Sequence, residues 1–278
     1  MTTLVLQGDN LNREQIEKIE QELGATAVTN ALYSVIQTSE PLSEDDLTVL
    51  RTHYQFDINA LPEDFTVSDT KLFVTDMDST LINIECVDEI ADFINVKPQV
   101  AAITEAAMRG EIDFETSLRQ RVSLLKGLDV SALERVYNER LQLNPGAELM
   151  IKALQQQGIK TALVSGGFTF FTERLKQRLG LDYTLANVLA EKDGKLTGEV
   201  VGAICGAQSK ADFLLAKCEE LDIAPSQTLA IGDGANDLLM MNEAGLSVAY
   251  HAKPTVQQQA DTAVNYCGLE SIVGLLQL

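Results

Sequence analysis

The chain has 278 residues, of which 45% are hydrophobic and 22% are charged, a composition typical of a globular protein with one large or two modest domains. Its 41 acidic and 21 basic side chains give a formal net charge of −20, which argues against a nucleic-acid partner and against docking on an anionic membrane surface. No apolar run approaches the roughly 20 residues that a membrane-spanning helix needs, so no membrane partner is expected.

Residues 1–68 are predicted to form a small α+β domain of their own. Strand-like and helical segments alternate at residues 3–7, 12–23, 26–37, 43–53 and 56–61. A hairpin break at Asn30 and Ala31 divides the middle segment into two strands, which gives the order β-α-β-β-α-β of a ferredoxin-like domain. Because no cluster of side chains in this domain could do chemistry, we expect a structural, regulatory or dimerising role. A homodimer through this domain is one expected arrangement.

Residues 69–278 alternate strand-like and helical segments, which predicts an α/β domain with a doubly wound parallel sheet. The predicted strands are residues 72–75, 160–164, 228–231 and 246–249. The predicted helices are residues 147–157, 169–179 and 210–221. The polar run Pro62-Glu63-Asp64 separates this domain from the first one.

A long insertion, at about residues 84–143, follows the first strand of this second domain. Its helical segments are predicted at residues 87–93, 100–108, 114–125 and 132–141. A connection of this length with structure of its own is best interpreted as a lid. Met108 and Phe114 could supply an apolar part of that lid, although core packing explains them equally well. A shorter excursion at residues 187–200 is centred on a hairpin turn at Asp193-Gly194.

The cysteines and the N-terminus bear on the cellular compartment. Cys86, Cys205, Cys218 and Cys267 are scattered and form no paired motif, which predicts neither a disulfide scaffold nor a zinc site. The first nine residues lack a basic stretch and carry too short an apolar run for a secretory signal. Both features favour a cytoplasmic location.

Two carboxylates stand directly after the first strand of the second domain, Asp76 and Asp78. In open α/β sheets ligands gather at the carboxyl ends of the strands. Two acids placed there repel each other and are costly to desolvate unless a positive group joins them. A bound divalent cation, and a reaction that uses both acids, would explain the pair.

Three further segments suit a phosphate and a metal. Ser165-Gly166-Gly167 follows the second strand, where glycine N–H groups and a hydroxyl can approach an anion. Gly232-Asp233-Gly234-Ala235-Asn236-Asp237 follows the third strand, and Asp233 with Asp76 would give the carboxylate pair that Mg²⁺ prefers. Lys210 is predicted to open the preceding helix and could place one positive charge on a phosphate or a nucleophile. Each segment alone has an ordinary explanation as a turn or a surface charge, so the prediction depends on their joint occurrence.

In this order the four segments resemble the signatures of the haloacid dehalogenase-like phosphatases. The matching residues are Asp76-Met77-Asp78-Ser79-Thr80, then Ser165, then Lys210, then the segment from Gly232 to Asp237. The resemblance covers about residues 71–250 and implies a Mg²⁺-dependent phosphomonoester hydrolase that works through an aspartyl-phosphate. It implies that Asp76 is the nucleophile and that Asp78 is the general acid and base.

The resemblance also implies which residues hold the metal and the phosphoryl group. Mg²⁺ would be bound by the carboxylates of Asp76 and Asp233 and by the main-chain carbonyl of Asp78, with Asp237 as a further ligand or as an orienting residue. The phosphoryl oxygens would be held by Ser165, the Gly166 N–H and Lys210. Asn236 would contact the substrate phosphate or would shape the Gly234 loop.

The stretch from Asp76 to Ala91 resembles in particular the members of the family that hydrolyse O-phospho-L-serine, the last step of phosphorylated serine biosynthesis. That resemblance implies that Glu85 binds the substrate ammonium and that Arg121, in the insertion, binds its carboxylate. The residues alone instead favour a helix N-terminal acid for Glu85 and a surface residue on an amphipathic helix for Arg121.

Three alternatives remain open from the sequence. The substrate could be another small phosphomonoester, or the chain could be a phosphomutase. A non-enzymatic reading makes the chain an amino-acid sensor whose second half is inactive. The intact Asp76, Asp78, Lys210 and Asp233 argue against that reading, and Asp78 argues against a dehalogenase, which needs no leaving-group acid.

Overall fold

The computed structural model describes the backbone of residues 1–278 and all side chains except those of Glu44 and Met108. Two β-sheets organise the chain, one with four strands and one with seven. The expectation that Met108 supplies an apolar part of the lid therefore falls outside the described side chains.

The four-stranded sheet is built entirely from the first 61 residues. Its elements are β1 Thr2–Gln7, α1 Arg13–Leu23, β2 Ala27–Thr29, β3 Ser34–Thr38, α2 Glu44–His53 and β4 Asp57–Leu61. The strand order is β2-β3-β1-β4, and β1 runs antiparallel to both β3 and β4. This is the β-α-β-β-α-β arrangement of a ferredoxin-like domain. Each helix begins at a capping box, with Asn12 before α1 and Ser43 before α2.

The second part of the chain begins with β5 Leu72–Thr75 and the insertion. The insertion contains four helices, α3 Cys86–Asp92, α4 Lys97–Met108, α5 Phe114–Ser123 and α6 Ser131–Glu139. Its two connections to the domain contact each other, since Ile82 and Leu143 form an isolated antiparallel bridge.

The remaining elements complete an α/β domain. They are α7 Ala147–Gln156, β6 Lys160–Phe168, α8 Thr169–Leu179, β7 Tyr183–Lys192, β8 Lys195–Val201, α9 Ala207–Leu221, β9 Thr228–Gly232, α10 Leu238–Glu243, β10 Leu246–Tyr250, α11 Pro254–Gln257, β11 Thr262–Val264 and α12 Ser271–Leu275. The strand order is β11-β10-β9-β5-β6-β7-β8, and every neighbouring pair is parallel except β7 and β8. The predicted parallel α/β sheet is confirmed.

The central strand β5 shows why its sequence is a continuous apolar run. All four residues of β5 are buried, because helices cover both faces of a parallel sheet. Phe73 and Leu72 belong to different clusters of buried side chains, one on each face. This two-sided burial fixes the strand, and its carboxyl end then delivers Asp76 to the edge of the sheet.

The β7–β8 hairpin holds part of the insertion in place. Asp193 and Gly194 both adopt positive φ, 53° and 74°, as a two-residue hairpin turn requires. The Gly127 N–H donates to the Leu196 carbonyl and the Leu196 N–H donates to the Leu128 carbonyl, both at 2.8 Å. The segment after α5 is thus joined to an outer strand of the large sheet.

The four-stranded sheet, through β4, covers the opposite edge of the seven-stranded sheet, at β11. The Asn59 side chain pairs with both backbone groups of Ala263, at 2.9 Å each. The buried Asp57 carboxylate accepts backbone N–H groups from residues 265–267, at 2.8 to 3.3 Å. These contacts protect an edge strand that would otherwise expose unpaired backbone groups.

Two of the predicted boundaries that bear on the site are wrong. Ser165-Gly166-Gly167 does not follow the second strand but lies inside β6, which continues to Phe168 in extended backbone. The two glycines suggested a turn, whereas here they allow close approach of neighbouring groups. Lys210 does not open its helix, because α9 begins at Ala207 and Lys210 ends its first turn.

Candidate active site

The carboxyl ends of β5, β6 and β9 meet under the insertion and enclose a cavity of about 510 Å³. Eight of the residues predicted for the site line it: Asp76, Asp78, Glu85, Arg121, Ser165, Gly166, Asp233 and Asn236. The remaining two, Lys210 and Asp237, lie buried behind Asp76. The structure therefore brings all ten predicted residues to one place, and their roles stay predictions.

A buried ion triad anchors Asp76. The Lys210 Nζ donates to Asp76 Oδ1 at 2.7 Å and to Asp237 Oδ1 at 2.6 Å. Lys210 is 1% exposed and Asp237 is fully buried. Asp237 can pack this closely because residue 232 is glycine, on which a Cβ atom would lie 2.4 Å from Asp237 Oδ2. The cation thus orients the Asp76 carboxylate from behind.

The residues present fit a divalent cation. Carboxylate oxygens of Asp76, Asp233 and Asp237 lie within 4.8 Å of one another, the grouping expected of ligands to a hard cation. The Thr80 hydroxyl donates to Asp233 Oδ1 at 3.0 Å and fixes that carboxylate. The first two residues are those that the sequence paired for Mg²⁺, so the donor set is compatible with a metal site.

Asp78 is held differently from the other acids. Its Oδ1 accepts the backbone N–H of Cys86, the first residue of α3, at 3.0 Å. Its Oδ2 lies 2.9 Å from the position that a Cβ atom on Gly167 would occupy, so only glycine leaves room for it. The Asp78 carboxylate therefore faces the cavity between β6 and the insertion, apart from the three-acid cluster.

Glu85 and Arg121 face the cavity from the insertion and its connection. The Ser79 hydroxyl donates to Glu85 Oε1 at 2.8 Å. The Arg121 Nε donates to the Ser117 carbonyl one turn earlier in α5, at 3.4 Å. An acid and a guanidinium that line the same cavity as Asp76 and Asp233 can bind a substrate that carries both charges.

Burial dominates the electrostatics of the acids. It raises the pKa of Asp76 well above its ordinary range, with a further contribution from Asp237 that Lys210 opposes. Burial also raises the pKa of Asp78. Burial and the neighbouring Asp78 raise the pKa of Glu85 to about 7, and burial and Asp237 raise that of Asp233 to about 6. A carboxyl group in a cleft whose pKa lies near neutral pH is typical of a functional site.

Ser165 has its hydroxyl oxygen fixed by the backbone. The Gly167 N–H donates to Ser165 Oγ at 2.8 Å, which leaves the hydroxyl proton for another acceptor. Ser165 is 1% exposed and lines the cavity. A hydroxyl presented in this way is suited to a phosphoryl oxygen.

Two further residues contribute to the site through contacts that the sequence does not predict. Thr80 was noted only as a neighbour of the two acids, and its link to Asp233 crosses 153 positions, which sequence spacing alone cannot show. Gly167 was grouped with the phosphate segment, but its contact with Asp78 depends on how β6 lies against β5. Phe114, at the start of α5, packs against Gly166. A Cβ atom added to Gly166 would lie 2.9 Å from the Phe114 ring.

The sequence pattern described as haloacid dehalogenase-like hydrolase matches residues 70–245. The chain belongs to this family. A phosphoserine phosphatase from a Polaromonas species is 56% identical over 225 residues, which are 79% of this chain and 95% of that protein. Membership accounts for the α/β sheet and for the order of the motifs along it.

Solved structures of the same family extend the comparison. The crystal structure of a probable phosphoserine phosphatase from Vibrio cholerae, in unliganded form, superposes with a TM-score of 0.87 at 40% identity and covers 99% of this chain and 86% of that one. A substrate-bound phosphoserine phosphatase complex superposes with a TM-score of 0.69 at 43% identity over 73% of this chain and 97% of its own. The similarity to the Vibrio protein therefore includes the four-stranded sheet of the first 61 residues as well as the seven-stranded one.

Proposed function

We propose that this chain is a Mg²⁺-dependent phosphoserine phosphatase, which hydrolyses O-phospho-L-serine to L-serine and phosphate at the end of phosphorylated serine biosynthesis. The observation that carries the proposal is the single cavity in which a buried, cation-held Asp76 faces both an acid, Glu85, and a guanidinium, Arg121. The names and substrate of the similar proteins support it.

Asp76 acts as the nucleophile. Lys210 holds its Oδ1, which leaves Oδ2 to attack phosphorus in line and form an aspartyl-phosphate. As the phosphoryl group transfers, Ser165 and the Gly166 N–H donate to its oxygens, while Lys210 neutralises charge from behind.

Asp78 moves the proton. Burial raises the pKa of Asp78, which favours the protonated form, and this form donates its proton to the leaving serine oxygen. The resulting carboxylate then takes a proton from the water that hydrolyses the aspartyl-phosphate. One residue serves both half-reactions because the second returns the proton that the first removed.

Asp76 and Asp233, with Asp237 as a further ligand or orienting residue, would hold Mg²⁺. When bound, the ion supplies positive charge that stabilises the negative charge on the transferring phosphoryl group. The main-chain carbonyl of Asp78 is proposed as the remaining protein ligand.

Glu85 and Arg121 would select the substrate. The Glu85 carboxylate pairs with the substrate ammonium, and the Arg121 guanidinium pairs with its carboxylate in a bidentate fork. Asn236, which also lines the cavity, is placed to contact the phosphate or to shape the loop at Gly234.

We also propose the division into a domain of residues 1–68 and a hydrolase domain of residues 69–278, with the insertion at about residues 84–143 as its lid. Separate sheets and a separate buried cluster in the first domain support this division. A homodimer through the first domain and a cytoplasmic location remain proposals from the sequence. Among the helices of the described chain, none is long and apolar enough to cross a bilayer.

The test is phosphate release by the purified protein from a panel of phosphoserine, phosphothreonine and sugar phosphates, with and without EDTA. We expect phosphoserine to give the highest kcat/KM, EDTA to abolish release, and added Mg²⁺ to restore it. Preference for another phosphomonoester would agree with a phosphatase mechanism but would show that phosphoserine is not the substrate. Phosphate release that continues in EDTA would refute the metal requirement.

A further inference from the structure

The pairing of β6 with β7 is interrupted at the segment proposed to bind the phosphoryl group. Val164 pairs with Leu185 and Phe168 pairs with Asn187, so three residues of β6 face only one of β7 between these points. The three residues are Ser165, Gly166 and Gly167, whose backbone bulges out of the ladder. Such a bulge leaves backbone groups without strand partners.

The side chain of Asn187 supplies one of the missing partners. Its Nδ2 donates to the Gly166 carbonyl at 2.8 Å. The same peptide unit is fixed at its other end, where the Gly167 N–H donates to Ser165 Oγ. Asn187 is 1% exposed, so water does not compete for these hydrogen bonds.

The same amide also holds the segment that leads to Lys210. The Cys205 N–H donates to Asn187 Oδ1 at 2.8 Å, and Asn187 Nδ2 donates to the Cys205 carbonyl at 3.3 Å. Cys205 immediately precedes Gly206, the N-cap of α9, whose carbonyl accepts the Lys210 N–H at 3.1 Å. One buried side chain thus joins the Ser165 bulge to the helix that carries the cation behind Asp76.

We propose that Asn187 is a positioning residue that sets the distance between the phosphoryl-binding bulge at Ser165 and the cation at Lys210. The inference rests on the proposed phosphatase function but does not depend on which phosphomonoester is the substrate. Asn187 does not line the cavity, so it acts through the backbone of other residues and not on the substrate.

The chain offers a matched control for a purely structural role. Asn59 is also fully buried, and its amide makes the same paired contacts with both backbone groups of one residue, Ala263. It lies at the β11 edge with the N-terminal domain, away from the cavity. Removing either amide costs two or more buried hydrogen bonds, but only Asn187 joins segments of the site.

The experiment compares Asn187→Ala and Asn187→Asp with Asn59→Ala in the full-length protein. The readouts are melting temperature, kcat and KM for phosphoserine and p-nitrophenyl phosphate, and inhibition and thermal stabilisation by inorganic phosphate. We expect all variants to have a lower melting temperature than the wild-type protein. The Asn187 variants should lose kcat about 10- to 100-fold, the range known for supporting contacts and small misplacements, equally on both substrates. Their inhibition constant for phosphate should rise, and phosphate should stabilise them less.

Asn59→Ala should keep kcat, KM and the phosphate response within about twofold of wild type, because distant residues that share no contacts act independently. Asn187 variants that lose stability as Asn59→Ala does, but keep kcat and phosphate binding, would overturn the proposal. A third variant, Asn187→Ser, is made in case the other two do not fold. If all three Asn187 variants fail to fold while Asn59→Ala folds, the proposal is also overturned, because the Asn187 amide would then be needed for folding as a whole. If the wild-type protein hydrolyses only p-nitrophenyl phosphate, phosphoserine is not its substrate. The Asn187 proposal is then still tested by the kinetics on p-nitrophenyl phosphate.

Discussion

Replacing Lys210 with methionine tests the buried ion triad most directly. Methionine keeps most of the side-chain volume but removes the charge that lies 2.7 Å from Asp76 and 2.6 Å from Asp237. Removing one partner of a fully buried ion pair leaves an uncompensated charge and costs about 3–5 kcal/mol. At roughly 2–4 °C per kcal/mol for a domain of this size, the melting temperature should fall by about 6–20 °C. Activity should be lost as well, because Asp76 loses its orienting partner.

A second substitution shows whether charge is the cause. In Lys210→Met with Asp237→Asn, one of the two buried carboxylates is neutral, so about 1–3 kcal/mol of stability should return relative to the single variant. The single variant should also regain stability as the pH falls from 7.5 to 5.5. A buried acid whose folded-state pKa is raised, as for Asp76, binds more protons when folded, so its destabilising effect grows with pH.

The assay is thermal or urea unfolding in EDTA, so that bound metal does not replace the missing charge. A single variant that melts within about 2 °C of wild type, less than the shift that 1 kcal/mol would give, would refute the reasoning. A double variant no more stable than the single one would show that lost packing, and not lost charge, destabilises Lys210→Met.

Three further predictions address catalysis and recognition. Asp76→Asn should fold with a melting temperature near that of wild type and release no phosphate; activity above about 1% of wild type would exclude Asp76 as the nucleophile. Arg121→Lys should lower kcat/KM for phosphoserine at least about tenfold more than for p-nitrophenyl phosphate, because the bidentate fork is lost, and equal losses would remove Arg121 from recognition. The ratio of the two kcat/KM values should fall about tenfold from pH 8 to pH 6, since Glu85, with a pKa of about 7, pairs with the ammonium only when ionised. In Glu85→Gln that ratio should not change with pH, and a slope that persists would place the titrating group elsewhere.

The parallel sheet and the meeting of the motif residues could be anticipated because each signal is local in sequence. The strand β5 is a short apolar run, and the acids that follow it need no knowledge of distant segments to be placed at a strand end. The same holds for Asp233 after β9. The rule that ligands gather at the carboxyl ends of parallel strands then brings both to one edge.

The sequence-based predictions fail where the local conformation depends on contacts with residues that are far away in the sequence. Gly166 and Gly167 are typical of a turn, but they lie inside β6, where Asn187 donates to the Gly166 carbonyl and Asp78 packs close to Gly167. The polar Asn187 gave no signal, since its partners lie 18 and 21 positions away. The strand β11 was missed because its three residues are held in the sheet partly by Asn59 of the N-terminal domain.

The arrangement of acidic side chains at the cavity says more about function than the net charge of the whole chain. A net charge of −20 describes the surface and says little about a site. Among the described side chains, seven charged ones meet at the cavity and directly behind it. Five are acids, Asp76, Asp78, Glu85, Asp233 and Asp237, and two are bases, Lys210 and Arg121. Burial raises the pKa of four of these acids, so the site as folded holds more carboxyl groups than its cations can keep ionised. A divalent cation would relieve this excess at Asp76 and Asp233, while Asp78, set apart against α3, can keep its proton for the leaving group.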